Sequence, residues 1–185
     1  MSSRIRNQAK PASVALAAGL AGAVFTFGTA LADSPHFIRC ALALETETTT
    51  FGHGKNQFEL VTGATLVATW KEAGLGDNVL IEYLAEADAT AEWACINNGG
   101  NFPQDPKKQT VEGPVSAEGT FSSGKNGSIT ASLRVDAPGR DPSPCGGGQA
   151  DVLLNVSFTG VTVTDETNDI TQSCGSISET FLTIP

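Results

Sequence analysis

Residues Ile129-Thr130-Ala131-Ser132-Leu133-Arg134-Val135-Asp136 alternate apolar and polar side chains without a break. In an extended chain successive side chains point to opposite faces, so one face packs and the other stays wet. The pattern returns at Val152, Leu154, Val156 and Phe158 against Asn155, Ser157 and Thr159. Val161 and Val163 continue it beyond Gly160, where a bulge or bend in a long strand is expected. Val79, Ile81 and Tyr83 form a third inward set, and Ala89, Ala91, Trp93 and Cys95 a fourth. Phe37–Leu44, Ala64–Trp70, Gln109–Ser122 and Ile177–Ile184 are weaker strand candidates. No segment beyond the first 32 residues sustains a helical period.

Turn chemistry separates these runs: Gly74-Leu75-Gly76-Asp77-Asn78, Asn97 to Asn101, Lys125-Asn126-Gly127, and Pro138 to Gly148. Gly and Asn tolerate positive φ and Pro ends strand pairing. Short strands so punctuated, without helices, indicate an all-β fold: an antiparallel, immunoglobulin-like β-sandwich. Trp93 and Cys95 fall on one face, which makes a Trp beside a disulfide the expected centre of the core. Residues 33–185 read as a single domain, with 33–36 as a loose lead-in.

The first 32 residues differ in kind. Arg4, Arg6 and Lys10 open the chain without an acid, Val14 to Leu31 is almost wholly apolar, and Ala30-Leu31-Ala32 closes it. That order is a secretory signal peptide over residues 1–32, so the mature domain is expected outside the cell. With three of the eleven Lys and Arg before residue 33 and all twenty Asp and Glu after it, the mature charge is −12. Such a chain has no basic patch for a phosphate backbone or an anionic bilayer, which disfavours nucleic acid and membrane as partners. A soluble monomer without cofactor is expected, its partner an extracellular protein or polymer.

All four cysteines, Cys40, Cys95, Cys145 and Cys174, lie in the mature part. An even count in an exported chain reads as two disulfides. A zinc site would need close Cys or His spacing, and His36 and His53 sit near no Cys pair, so no metal is expected. Three pairings are possible; Cys95–Cys145 with Cys40–Cys174 is favoured, the second tying the first strand to the end of the chain.

The stretch Cys95-Ile96-Asn97-Asn98-Gly99-Gly100-Asn101-Phe102-Pro103, followed by Lys107-Lys108, resembles small secreted β-rich actinomycete proteins that carry a Cys-x-Asn-x-Gly-Gly segment, then a Pro and a Lys. The similarity runs over about residues 65–165, through Lys71-Glu72-Ala73-Gly74-Leu75-Gly76, Phe121, Asn126-Gly127, Pro138, Cys145, Gly148-Gln149 and Val156-Ser157-Phe158. It implies export, a β-rich fold and a Cys95–Cys145 bond; it implies no activity and no catalytic residue. Two departures stand out. Pro144 precedes Cys145 where the usual order puts Pro after the Cys, and Cys40 and Cys174 are additional.

The candidate binding surface is the Asn97-Asn98-Gly99-Gly100-Asn101 loop with Lys107 and Lys108. Its backbone and side-chain amides are suited to a ligand oxygen or a sugar hydroxyl, although a tight turn locked by Cys95 needs the same residues. The two lysines are the only paired cations of the mature chain. Asp165-Glu166-Thr167-Asn168-Asp169 gathers carboxylates but lacks the order of a calcium loop, so a polar turn is the default. For catalysis there is no Gly-x-Ser-x-Gly elbow, and His53 has no identifiable partner. Trp70, Trp93 and Tyr83 fall in strand patterns and read as buried, which weakens a sugar platform. These features favour a non-enzymatic binding or structural module. The alternatives are a secreted hydrolase of a cell-wall or environmental polymer, and a protease inhibitor using Pro138–Gly148 as bait.

Overall fold

The computed structural model describes residues 34–184, so the leader expected over residues 1–32 lies outside the described residues. Seven strands carry the fold: β1 (His36–His53), β2 (Asn56–Ala73), β3 (Leu80–Asn97), β4 (Gln109–Ser122), β5 (Ser128–Asp136), β6 (Gln149–Asp165) and β7 (Ile170–Thr180). One sheet has the order β1-β2-β5 and the other β4-β3-β6-β7, every pairing antiparallel. This is the immunoglobulin-type sandwich with its fourth strand carried on the second sheet. Among the described residues no helix is long and apolar enough to cross a membrane.

The strands are longer than the punctuation suggests. Ile81 and Tyr83 belong with the Ala89–Cys95 set to one 18-residue strand, β3. Ala85 and Ala87 bridge them on the inward face, and their small side chains hide the alternation in the sequence. Val79 is not part of that face; it precedes the strand and is 38% exposed. Gln109–Ser122 is β4 residue for residue. The bulge expected at Gly160 is present: Thr162 pairs with Glu86 and Thr159 with Asp88, leaving two residues opposite Ala87, and Gly160 takes φ +62°.

A second bulge was not legible. Glu92 pairs with Asn155 but Trp93 with Leu153, so Leu154 is extra and the phase of β6 reverses. The expected inward set therefore divides. Val156 and Phe158 join the main core with Leu153, whereas Val152 and Leu154 join a smaller cluster with Ala94 and Ile96. By the alternation of β3, Ala94 and Ile96 face the opposite side of the sheet from Trp93. Phe51, Phe58, Leu60, Phe102, Leu182 and Ile184 cover that cluster.

The centre of the main core is also not where the Trp93–Cys95 pairing put it. Trp70 and Tyr83, both fully buried, meet tilted at 45° with centroids 4.7 Å apart, and Phe121 meets each edge-on at 5.5 and 5.9 Å. Such pairs contribute about 0.5–1.5 kcal/mol each beyond their buried area. Trp93 belongs to the same core nearer its end, its indole N–H donating to the Pro138 carbonyl at 3.0 Å. Two disulfides are formed, Cys40–Cys174 and Cys95–Cys145. The first joins β1 to β7 and so fastens the edges of the two sheets. The second ties the end of β3 to the loop between β5 and β6.

Candidate functional site

The end of β3, the loop that follows it and the loop between β5 and β6 meet at one end of the sandwich. Cys95 begins the join: its amide donates to the Pro106 carbonyl at 2.7 Å and its sulfur is bonded to Cys145. Beyond it the chain makes a closed turn. The Asn97 amide donates to the Asn101 carbonyl at 3.0 Å and the Gly100 amide to the Asn97 carbonyl at 2.8 Å. Gly100 has two reasons to be glycine. Its φ is +82°, and a methyl group there would stand 2.8 Å from the Phe58 ring.

The second loop is held to the first at several points. The Asn98 amide donates to the Gly148 carbonyl at 3.1 Å, and the Gln149 side-chain amide to Asn97 Oδ1 at 3.2 Å. Lys107, at φ +48°, donates from Nζ to the Pro144 carbonyl at 2.9 Å. Arg140 is the pivot. Its side chain is 1% exposed, it donates to the Lys107 carbonyl at 2.9 Å, it pairs with Asp151, and its Nη2 lies 3.5 Å from Cys145 Sγ. Removing Asp151 would leave the enclosed Arg140 guanidinium without its counter-charge, which is costly in a dry site, whereas Asp151 itself is partly open to water.

The candidate residues Asn97, Asn98, Gly99, Gly100, Asn101, Lys107 and Lys108 are thus brought together with residues 138–148 in one rim. Their roles differ from an amide cradle. The amides of Asn97, Asn98 and Gly100 are spent within the rim. Lys107 holds the opposite loop, and Lys108 turns to Glu92 in an ion pair. The side chains of Asn98 and Gln104 are exposed on the crest. Arg140 was not foreseen; a single Arg in a Pro/Gly loop gives no sequence sign of burial.

Cys95, Cys145 and Asp151 bring ligand-type atoms within 4.8 Å of one another. Both sulfurs are consumed in the disulfide and the carboxylate by Arg140, so the trio is not a donor set. In the Asp165–Asp169 segment, both Asp165 oxygens accept from Asn168, from its amide at 2.8 Å and its side chain at 2.6 Å. Among the described residues, open depressions that hold carboxylates include one of about 410 Å³ at Glu86, Asp88 and Ser116, one of about 250 Å³ at Glu47, Asp136 and Trp93, and one of about 160 Å³ at Glu82, Glu118 and Glu166. The exposed face of the four-stranded sheet carries Glu82, Glu86, Asp88, Glu112 and Glu118 on β3 and β4.

No family model and no curated protein matches the chain. Among solved structures, the β-glucosidase DesR from Streptomyces venezuelae, in complex with D-glucose, aligns at 12% identity and a TM-score of 0.25. The alignment covers 77% of this chain and 15% of that one, so the chain spans under a sixth of the enzyme's length. A likeness at that score carries no argument about fold or activity.

Proposed function

We propose that this is a secreted, non-enzymatic binding module that presents the rim of residues 97–108 and 138–148 to an extracellular protein or polymer. The observation that carries this reading is the welding of two irregular loops into one body by Cys95–Cys145, Arg140 and the cross-loop hydrogen bonds. Loops held this firmly have already lost the entropy that binding would otherwise cost them. Most hydrophobic mass is inside and the sheet face is acidic, which leaves the rim crest, with the exposed side-chain amides of Asn98 and Gln104, as the surface of neutral polar chemistry.

The test uses the mature chain against cellulose, chitin and peptidoglycan particles and against cross-linked proteins of the culture medium. Substituting Asn98→Arg and Gln104→Arg alters the crest without touching the welds. Retention on one target, cut at least tenfold by the double substitution with an unchanged melting temperature, supports the reading. Retention that ignores the substitution, or none on any target, overturns it. The brace on Cys145 favours a second reading, protease inhibition through the exposed Asp141-Pro142-Ser143 segment, which stoichiometric titration of serine proteases would reveal. Export itself is tested by finding the product in the medium with Asp33 as its first residue.

A further inference from the structure

The other end of the sandwich holds a buried polar cluster that the rim does not use. Glu72 follows Ala64, Leu66, Ala68 and Trp70 at the inward positions of β2 and is fully enclosed. Asp165 follows Val161 and Val163 on β6 and is equally enclosed. Neither makes an ion pair with Lys or Arg among the described residues. From β3, the Tyr83 hydroxyl donates to Glu72 Oε2 at 2.7 Å, while Glu72 Oε1 is buried without a partner. From β1, His36, the register partner of Ala73, is a group of potential positive charge that bears on Glu72.

Asp165 also governs a turn. Both its oxygens hold Asn168, and the same turn is tied to β3 by the Glu166 amide on the Glu82 carbonyl at 2.9 Å and the Glu82 amide on Thr167 Oγ1 at 3.0 Å. Glu72, in contrast, is paired on both sides within its sheet, to Phe37 and Ile129. If the two carboxyls repel, the one beside a turn is free to move and the one in mid-sheet is not.

We propose that Glu72 and Asp165 form a proton-operated latch between the two sheets, closed while Glu72 carries a proton and opened, by release of the 166–169 turn, when both groups are anions. Tyr83 is the register partner of Asp165 and the hydrogen-bond donor to Glu72, so both enclosed carboxyls flank one tyrosine. Two anions there lose their hydration and repel, which the fold relieves by letting Asp165 reach water. Burial first, opposed by the Tyr83 hydrogen bond and reinforced by Asp165, pushes the Glu72 carboxyl up to about 7. The latch therefore works across neutral pH. The Tyr83 phenol, pushed upward by burial and by Glu72, remains a donor throughout.

Amide hydrogen exchange on the mature protein at pH 6 and pH 8, corrected for intrinsic rates, tests this. The expected result is a loss of protection of at least tenfold at Glu166 and Asn168 between the two, with Val156 and Phe158, in the strand that precedes the turn, unchanged. Glu72→Gln, which is neutral at both pH values, should keep the pH 6 protection at pH 8. The carboxyl carbon resonance of Glu72 in the unsubstituted chain provides an independent reading, with a midpoint near neutrality expected. Protection that does not change with pH, an equal loss in Glu72→Gln, or a Glu72 midpoint below about pH 5.5 overturns the latch.

Discussion

Replacing Cys40 and Cys174 together by alanine asks how much of the fold depends on a single covalent tie. The bond closes a separation of 134 residues, the larger of the two loops. In the chain-entropy description, a loop of that size restricts the unfolded chain by about 5 kcal/mol at 25 °C. The bond between Cys95 and Cys145 spans 50 residues and corresponds to about 4 kcal/mol. A typical domain is stable by about 5–15 kcal/mol, so the double substitution removes a third or more of the total. In a chain of this size that lowers the melting temperature by about 10–20 °C. Guanidinium unfolding followed by tryptophan fluorescence is suited to the measurement, because Trp70 and Trp93 are both buried. The midpoint should fall and the denaturant slope should rise, since an uncrosslinked unfolded chain exposes more surface. A loss below about 1 kcal/mol with an unchanged slope would refute the reasoning, because it would mean the tie does not constrain the unfolded chain.

Glu72→Gln should change how stability depends on pH. The folded carboxyl titrates near 7 and its ordinary value is 4.5, so between these the folded state holds a proton that the unfolded chain has lost. Stability is then complete below about 4.5 and declines as pH rises toward 7, by about 3 kcal/mol in all at about 1.4 kcal/mol per pH unit. Denaturant titrations at pH 5 and pH 8 should show that decline in the natural chain and its absence in the Gln variant; parallel declines would count against the assignment. Gly100→Ala should cost about 2–4 kcal/mol, combining a left-handed backbone with a methyl against Phe58. Gly147→Ala, where a methyl meets nothing within 4 Å, should stay within about 0.5 kcal/mol. Equal effects at the two glycines would mean that the turn is not packed on Phe58.

What could be seen in advance follows period two. β5 alternates cleanly and β4, the weaker pattern, is bounded by loop residues, so the limits of both could be read almost to the residue. β3 was split because Ala85 and Ala87 bury little area and alternate too weakly to register, although both are buried. The bulge at Leu154 was hidden for another reason. An extra residue in one strand changes which face its neighbours meet, and only the partner strand reveals it. The same alternation did contain Glu72 and Asp165, each at the next inward position after a run of buried apolar residues. Charge argued for water, and position prevailed. The rim was visible as loops with a cysteine at each side, but its internal bonds depend on contacts between residues such as Lys107 and Pro144 or Arg140 and Asp151, which no local pattern encodes.

The binding account rests on the two loops behaving as one rigid piece. Backbone ¹⁵N relaxation of residues 33–185 measures this directly at residues 97–108 and 138–148. Order parameters of about 0.85, equal to those of β3 and β6, are the predicted result. Values below about 0.6 in either loop with both disulfides intact would contradict it.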